Sequence, residues 1–448
     1  MPIVAMKAVQ ARQHENADRL RIYQFDAEDG AGLIQIVANL ENIYEVGDVV
    51  AVALDGTVLS DGTLIKKNKY RGARSFGMSL GKTDKPVGTD LTADFDATED
   101  EKTLKRKEAA EANGVVEESV WTKYTSIDGY LKLREDILAA PEVIVTEKIH
   151  GSNARFGFRG DDYLLGTHTS RILPDRMDAS TWPSGHLLSH FLRWCKDYDI
   201  ERRVMEWKAA HPEVYQMAVY GELMGFKCSD LHYGEQTQYV RLFGEVQIDG
   251  VFLSYDEALA VIGELFPNHI IERMIVPVLY RGKPDKAVLR KLRDLPSTQA
   301  ATLGVEQISE GIVIRANPEC YSEISHDRLI AKWKGPLYCE RKSLKKLDPD
   351  VLPSYLSAHD LIFDFVTAQR ILHVWQKAQS MGIDLHMKHC HRIAEMLLDD
   401  IIKESVGEWP EGQEPETLDR KVLVKWTKNL SADLMAMVMQ DIEAGLHG

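Results

Sequence analysis

A lysine, a histidine and a glycine lie close together at the end of an apolar, β-branched segment of the chain. The segment VTEKIHGSNARF, residues 145–156, contains Lys148, His150 and Gly151. An ammonium group, an imidazole and a flexible turn at the end of a buried strand are suited to nucleophilic chemistry. The pattern Lys-x-His-Gly is too short to identify a site alone, so its interpretation depends on the rest of the chain.

Charged residues recur at the ends of other predicted strands. Arg171 follows one strand, Glu222 lies on the next, and Glu310 begins the segment EGIVIR. Lys332 and Lys334 are two residues apart in LIAKWKG, and residues two apart on a strand project from the same face. Two lysines and an arginine can hold a polyphosphate, and two glutamates can hold Mg²⁺ and a ribose hydroxyl.

Lys148 can act as a nucleophile only after it loses its proton. Burial and neighbouring cations lower the pKa of a lysine, and we expect Lys332 and Lys334 to be those cations. The free amine could then attack the α-phosphorus of a nucleotide, displace pyrophosphate and form a phosphoramidate. Gly151 would let the backbone turn close to that nucleotide.

The segments EKIHGSN, SR, YGEL, LFGEV, EGIVIR and AKWK follow one another along about 200 residues. Their order and approximate spacing resemble motifs I, Ia, III, IIIa, IV and V of the covalent nucleotidyltransferases, the superfamily of ATP-dependent ligases and mRNA capping enzymes. The RNA ligase branch is the most similar, because its first motif often reads EKIHG and is followed by a required asparagine. The segment LFGEV departs from the family, which commonly has Phe-Asp in motif IIIa where this chain has Phe243-Gly244-Glu245.

The resemblance implies a role for each matching residue. Lys148 would accept AMP from ATP, Arg171 would contact the nucleotide or the RNA end, and Phe243 would stack on adenine. The catalytic residues would be Lys148, Lys332 and Lys334. The nucleotide-binding residues would be Glu147, Ile149, Asn153, Arg171, Glu222, Phe243, Glu310, Lys332 and Lys334. A divalent ion, Mg²⁺ or Mn²⁺, would be held by Glu310 and Glu222.

Residues 1–83 form a separate β-rich region with a basic segment. Short strands punctuated by turns predict a five-stranded barrel. The basic residues, which are interleaved with aromatic ones and suit a nucleic-acid strand, are Lys66, Lys67, Lys69, Arg71 and Arg74. The alternative is a solvated charged strand at the barrel edge. QHENADRL, QIVANLENIYEVGDVVAVAL and KYRGARSFGMS resemble the tRNA-binding OB domain of the bacterial phenylalanyl-tRNA synthetase β subunit, with Glu15 where that family usually has proline.

The remaining chain completes an α+β architecture with three folded parts. Residues 84–120 are charge-dense and predict a linker. Residues 121–347 predict the nucleotidyltransferase domain, with ATP-grasp-like antiparallel sheets and helices, and residues 354–448 predict a helical C-terminal domain. His386 and Cys390 of HMKHCH could ligate a metal, but an ordinary polar helix face is the preferred interpretation.

Composition limits the class of protein. The chain has 448 residues, of which 44% are apolar and 27% charged, and a net charge of −15. Any phosphate-binding surface must therefore be local. Five cysteines without a CxxC pair argue against a disulfide framework or a zinc site. With neither a secretory signal nor an apolar run of membrane-spanning length, we expect a cytoplasmic protein. We also expect it to be a monomer.

These observations predict an ATP-dependent RNA ligase. It would join RNA 3′-hydroxyl and 5′-phosphate ends through a lysyl-AMP intermediate and an adenylylated 5′ end, in the repair of nicked duplexes or broken RNA. An OB domain ahead of the catalytic core is the arrangement of one nick-sealing branch of RNA ligases. The alternatives are a GTP-dependent guanylyltransferase, which nucleotide competition would distinguish, and a noncatalytic tRNA-binding adaptor with a decayed ligase core.

Overall fold

The structure is a computed structural model of the whole chain. It describes residues 2–14, 19–28, 33–40, 43–70, 73–112, 114–117, 124, 127–168, 170–183, 185–225, 231, 233–234, 238–322, 328–340, 350–383, 390–409 and 414–443. These residues form an N-terminal antiparallel sheet, a central unit of two larger sheets covered by helices, and a C-terminal group of helices. The predicted α+β class and order of the three parts are confirmed.

The N-terminal unit is an antiparallel half-barrel. Its elements are β1 (Ile3–Gln13), β2 (Leu20–Asp26), β3 (Leu33–Asn39), β4 (Val49–Leu54), β5 (Thr57–Val58), β6 (Asn68–Tyr70), β7 (Ala73–Ser75), β8 (Gly77–Lys82), β9 (Thr98–Glu99) and α1 (Glu101–Ala112). The strand order is β3-β2-β1-β4-β8. The sheet curls because its apolar face buries Tyr23, Phe25 and Ile36, and the Phe76 amide donates to the Gln35 carbonyl at 2.9 Å between its two edges.

The chain after β8 stays on the N-terminal sheet. The Gly88 amide donates to the Ala5 carbonyl at 2.8 Å, and the Leu91 amide donates to the Ile3 carbonyl at 2.9 Å. β9 pairs with β5, and Leu91 lies in an apolar cluster with Ile3 and Ala97. The contacts of the N-terminal unit therefore run past residue 83 into the segment that composition predicts to be a linker.

The central unit contains two sheets with helices between and around them. Its strands are β10 (Val115–Glu117), β11 (Asp128–Gly129), β12 (Val143–Glu147), β13 (Ser152–Arg159), β14 (Asp162–Gly166), β15 (Ser170–Ile172), β16 (Gln216–Gly225), β17 (Gln238–Ile248), β18 (Val251–Phe252), β19 (Val278–Gly282), β20 (Gly311–Ala316) and β21 (Ile330–Lys334). Its helices are α2 (Tyr130–Ala139), α3 (Leu187–Asp197), α4 (Ile200–Ala210), α5 (Tyr255–Leu265), α6 (Asn268–Met274), α7 (Lys286–Arg293), α8 (Thr298–Ala301) and α9 (Pro336–Cys339).

Each central sheet buries one face under helices and turns the other toward its neighbour. The larger sheet has the order β10-β15-β14-β13-β16-β17-β18, and the smaller has the order β11-β21-β20-β12-β19. Phe156 and Phe158, two residues apart on β13, project from one face and pack under helices α3 to α6 with Phe191. In the smaller sheet, Val145 and Ile314 pack in an apolar cluster with residues of helices α2 and α7. Because side chains alternate along a strand, the opposite faces carry the polar residues and confront each other.

The C-terminal unit is helical. Its elements are α10 (Leu352–Phe365), α11 (Ala368–Ser380), α12 (Cys390–Glu404) and α13 (Arg420–Glu443). Apolar residues at helical spacing form its core around Trp426, with Ile393, Leu397, Ile401 and Val438. Among the described residues, none of the helices combines the length and the apolar character needed to cross a membrane.

We predict that Leu91→Ala destabilises the N-terminal unit by about 2–5 kcal/mol, because it removes a buried side chain that covers β1. Leu91 is 2% exposed. The matched control is Leu104→Ala, since Leu104 is 40% exposed. Thermal unfolding of both full-length variants checks the prediction, and equal melting temperatures would show that the segment after residue 83 is only a linker.

Candidate active site

A cleft lies between the two polar sheet faces. Thr146 and Lys332 both pair with Val313, so the three residues share the cleft-facing side of the smaller sheet. Asn153 pairs with Glu222 on the facing side of the larger sheet. The residues that line the cleft include Tyr124, Thr146, Lys148, Glu222, Phe243, Glu245, Val313 and Arg315. The cleft thus combines charged groups with an aromatic wall.

The carboxylate of Glu310 is the centre of the charged groups. Its Oε1 atom lies 3.0 Å from Lys148 Nζ and 2.7 Å from Lys334 Nζ. Its Oε2 atom lies 3.1 Å from Nδ1 of His150. Burial alone would raise the pKa of Glu310, but His150, Lys148 and Lys334 outweigh burial and lower the pKa to about 2. The carboxylate is therefore ionised at neutral pH although Glu310 is 2% exposed.

Two glycines allow this convergence of strands. Gly311 has a φ of +136°, and a Cβ there would lie 2.2 Å from the Trp333 carbonyl oxygen. Its absence lets β20 and β21 approach so that Glu310 and Lys334 meet. A Cβ on Gly151 would lie 2.2 Å from the Leu223 carbonyl oxygen. The close approach that requires Gly151 is therefore to strand β16, whereas the sequence interpretation attributed it to the nucleotide.

His150 connects Glu310 to Tyr338, which lies in helix α9 after β21. The Tyr338 hydroxyl lies 3.1 Å from His150 Nδ1, and the His150 backbone amide donates to the Tyr233 hydroxyl at 2.8 Å. Tyr233 and Tyr338 were missed by sequence reasoning. They lie outside the quoted motifs, so no local pattern indicates them.

Glu222 differs from Glu310 in its charge state. Burial raises the pKa of Glu222 to about 8, with Glu310 adding to the increase and Lys148 opposing it. The group is therefore largely a neutral carboxylic acid at neutral pH. On the paired strand, the side-chain oxygen of Asn153 is buried with no hydrogen-bond partner in the described part of the chain. An unsatisfied polar atom beside a protonated carboxyl is a suitable surface for a polar ligand.

Lys332 is two residues from Lys334 on β21 and therefore lies on the same face of the strand. Burial lowers the pKa of Lys332, and the charges of Lys334 and Lys148 lower it further. The carboxylate of Asp433, on the last helix, opposes this effect. The structure thus brings together the three lysines that the sequence predicts to be catalytic.

Phe243 lies on a bulge in β17, and buried ion pairs next to the bulge stabilise its position. Phe243 packs against Tyr124 with ring centroids 5.3 Å apart. Arg315 donates to the Gly244 carbonyl at 2.8 Å and lies 2.7 Å from the Glu245 carboxylate. Arg328 lies 2.6 Å from the other oxygen of Glu245, and the Tyr124 hydroxyl donates to Glu245 at 2.9 Å.

Sequence reasoning missed this network although two of its residues lie in quoted segments. Glu245 stands in LFGEV and Arg315 ends EGIVIR. The available signal was a charged residue within an apolar strand, because a buried charge requires a partner. Burial would raise the pKa of Glu245, but Arg315 and Arg328 outweigh it and hold the pKa below its usual value.

Glu147 is among the residues that line the cleft, but its carboxylate is bound within the protein. Its carboxylate accepts hydrogen bonds at 2.6 Å from Ser297, 2.6 Å from Thr298 and 3.0 Å from the Gln299 amide. It therefore anchors the end of β12 to the start of α8, and no contact of its carboxylate with a nucleotide follows from this geometry. Ile149 is buried in an apolar cluster.

Arg171 lies on the cleft-facing side of the larger sheet. It pairs with Gly166, which pairs with Arg155, two residues from Asn153 on β13. Arg171 thus shares a face with Asn153, which is one strand further across β14, and with Glu222, which is beyond both β14 and β13. Its role in contacting the nucleotide or RNA stays a prediction.

The basic segment of the N-terminal unit is only partly described. Lys66 is exposed, and Lys67 Nζ lies 3.4 Å from Asp55. Arg71 and the side chains of Lys69 and Arg74 lie outside the described residues, as does His386 of the candidate metal motif. Their roles stay predictions. Within the described ranges there is no cluster of three or more His, Cys, Asp or Glu residues able to hold a metal ion.

The pKa of Glu222 predicts a specific pH effect. The folded protein keeps the proton to about pH 8, whereas the unfolded chain releases it near 4.5. The stability contributed by the neutral carboxyl is complete below pH 4.5 and is lost as pH rises toward 8. Glu222→Gln should therefore gain melting temperature relative to the wild type between pH 5 and 8. A difference that is constant over this range would contradict a raised pKa.

Two family models match the chain. Residues 141–334 match the RNA ligase family, and residues 3–102 match the putative tRNA binding domain. The N-terminal unit is 42% identical over 76 residues to the phenylalanine–tRNA ligase β subunit of Syntrophotalea carbinolica. The value for the same subunit from Chromobacterium violaceum is 45% over 76 residues. Each match covers 17% of this chain and 9% of the relative, so the chain spans less than a tenth of the length of these relatives.

Solved structures of Naegleria gruberi RNA ligase are also similar to the chain. The structure with PPi is 15% identical, with 76% of this chain and 98% of that chain covered and a TM-score of 0.38. A mutant with ATP and Mn is 15% identical, with coverages of 76% and 99% and a TM-score of 0.37. By the family-model matches, residues 141–334 are similar to RNA ligases and residues 3–102 to the putative tRNA binding domain.

Proposed function

We propose that this protein is an ATP-dependent RNA ligase that acts through an AMP group on Lys148. The observation that carries the proposal is the convergence of Lys148 and Lys334 on Glu310, at 3.0 and 2.7 Å, where Lys148 also lines a cleft that has an aromatic wall. The match of residues 141–334 to the RNA ligase family supports this reaction class. ATP and RNA ends are the proposed substrates.

The first step is nucleophilic attack by Lys148 on the α-phosphorus of ATP. A P–N bond forms, the P–O bond to pyrophosphate breaks, and the lysine proton leaves to solvent. Lys148 Nζ must separate from Glu310 before it can attack, since it lies 3.0 Å from that carboxylate. Lys332 and Lys334, two residues apart on one face, would stabilise the charge on the phosphoryl oxygens.

The larger sheet would bind the nucleoside. Phe243, a partly buried aromatic residue that lines the cleft, would stack on adenine. Arg315 donates to the neighbouring Gly244 carbonyl and so supports the bulge that carries Phe243. Glu222 and the unsatisfied oxygen of Asn153 lie beside each other on the facing strands, where they can bind ribose hydroxyls. The Glu245 network fixes this surface before the ligand arrives, which reduces the cost of ordering it.

A divalent ion fits the site chemically, because Mg²⁺ and Mn²⁺ prefer carboxylate oxygens and complete their shell with water and phosphate. Glu310 and Glu222 would hold it, and when bound it would neutralise phosphate charge. Glu222 must lose its proton to serve as a ligand, and Glu310 must exchange a lysine contact. The two carboxylates are therefore expected to bind the ion together with the nucleotide.

The later steps transfer AMP from Lys148 to an RNA 5′-phosphate. A 3′-hydroxyl then attacks that phosphate, the new phosphodiester bond forms, and AMP leaves. The N-terminal unit would hold the RNA through its basic segment, as its family match suggests. Repair of nicked or broken RNA in the cytoplasm by a monomer is the role that this reaction would serve.

Intact mass after incubation with ATP and Mg²⁺ tests the first step. We expect the wild type to gain the mass of one adenylyl group, labile in acid, and Lys148→Ala to gain none. Lys421→Ala is a matched control, since Lys421 is an exposed lysine on helix α13. Absence of an adduct with every nucleoside triphosphate would refute the proposal, and an adduct from GTP alone would identify a guanylyltransferase.

The N-terminal unit is tested by removing one exposed charge. Lys66→Ala should weaken the binding and sealing of nicked RNA. The slope of log affinity against log salt concentration should fall by about one, because one phosphate contact is lost. Adduct formation with ATP should be unchanged, because that step involves no RNA. Lys403→Ala, at an exposed position of helix α12, is the control. Equal salt slopes in the two variants would show that the basic segment is only a charged surface.

A further inference from the structure

The strand that carries Lys332 and Lys334 is held from behind by an aromatic cluster. Trp333 lies between the two lysines in the chain, so its side chain projects from the opposite face of β21. Its ring is stacked with Tyr130, at a centroid distance of 4.3 Å and an angle of 6°, and with Phe363, at 4.9 Å and 10°. All three rings are buried, and Phe363 belongs to helix α10 of the C-terminal unit.

An ion pair reinforces the same contact. The Arg293 guanidinium lies 4.9 Å above the Trp333 ring, and it is 1% exposed. Asp360 accepts from both terminal nitrogens of Arg293, at 2.9 and 3.2 Å. Asp360 and Phe363 are three residues apart and therefore lie on one face of α10. One face of this helix thus supplies two groups that contact or orient the Trp333 side chain.

Strand β21 has little other support on its outer side. Its outer neighbour in the sheet is β11, which consists of Asp128 and Gly129 alone. The C-terminal unit also binds the chain directly after β21 and α9, since the buried Glu340 accepts from Asn429 at 2.9 Å and pairs with Lys425 at 3.3 Å. The position of the two lysines therefore depends on contacts from outside the sheet.

We propose that the C-terminal helical unit is a working part of the active site, in which Phe363 and Asp360 are positioning residues for Lys332 and Lys334. They act through Trp333 and Arg293, and the inference rests on the proposed function for the role of the lysines. Displacement of a catalytic group by about 1 Å can cost about a hundredfold in rate. Loss of the stack should therefore slow nucleotidyl transfer without removing any group that touches the substrate.

The test compares Phe363→Ala with Ile362→Ala in the full-length protein. Ile362 is the adjacent residue and is 0% exposed, but it packs within the helical core and not against Trp333. Both changes create a cavity in α10, so the loss of melting temperature should be similar. We expect single-turnover formation of the Lys148 adduct at saturating ATP to fall about 10- to 100-fold in Phe363→Ala and less than threefold in Ile362→Ala. Equal rates in the two variants would overturn the proposal.

A second measurement is independent of the chemistry. Amide hydrogen exchange of residues 330–334, without nucleotide, should increase in Phe363→Ala and stay at the wild-type rate in Ile362→Ala. If the wild type forms no adduct, the proposed function fails, while hydrogen exchange still decides whether α10 holds β21. Unchanged exchange in Phe363→Ala would overturn the positioning role whatever the adduct shows.

Combining each α10 variant with Lys332→Ala distinguishes a positioning role of Phe363 from a general loss of stability. If Phe363 acts through the lysines, the rate losses of Phe363→Ala and Lys332→Ala should be less than multiplicative, whereas those of Ile362→Ala and Lys332→Ala should multiply. Multiplicative losses in both pairs would contradict the mechanism. If Phe363→Ala does not fold, Phe363→Leu retains most of the volume without the aromatic stack, and the same expectations and refuting results apply to it.

Discussion

The site depends on one buried carboxylate, that of Glu310. A charge that is 2% exposed loses most of its hydration, and the structure compensates it with Lys148, Lys334 and His150. Such a group is stable only when its partners are present in good geometry. The three partners come from the end of β12 and from β21, so the charge can be satisfied only when these strands meet. The need to pair the buried Glu310 carboxylate therefore determines where Lys148 and Lys334, which are proposed to take part in the reaction, are placed.

A second buried carboxylate, that of Glu245, relates the two sheets to each other. Glu245 lies on β17 of the larger sheet, while Arg315 belongs to β20 of the smaller sheet. Arg328, just before β21, binds the other oxygen. Packing between sheets tolerates sliding more readily than a paired buried charge does, because separation would leave an uncompensated ion. Glu310 thus holds together the charged groups of the smaller sheet, and Glu245 links the smaller sheet to the larger one across the cleft.

The parts of this arrangement that follow local rules could be predicted from the sequence. Alternation along a strand places Lys332 and Lys334 on one face, and the order of the motifs indicates that Lys148, Glu222 and Glu310 belong together. Long-range partners could not be predicted in this way. Glu147 is adjacent to Lys148, yet its carboxylate binds Ser297 and Thr298, about 150 residues away along the chain. The segment after residue 83 looks like a linker because few apolar residues stand among many charges, but Leu91 and Ala97 are enough to attach it to the N-terminal sheet.

The C-terminal helices show the same limit of sequence reasoning in another form. Helical periodicity predicts which residues of α10 are buried, but not which of them contact another unit. Ile362 and Phe363 are adjacent and equally apolar, and only the fold assigns one to the helical core and the other to Trp333. Since Trp333 separates the two lysines in the chain, the same strand that presents charge to the cleft presents its aromatic ring to the helices. A short strand with a minimal outer neighbour can then hold two cations close together, because the Glu310 carboxylate beside Lys334 and the packing and ion pair on the reverse face of the sheet together oppose their repulsion.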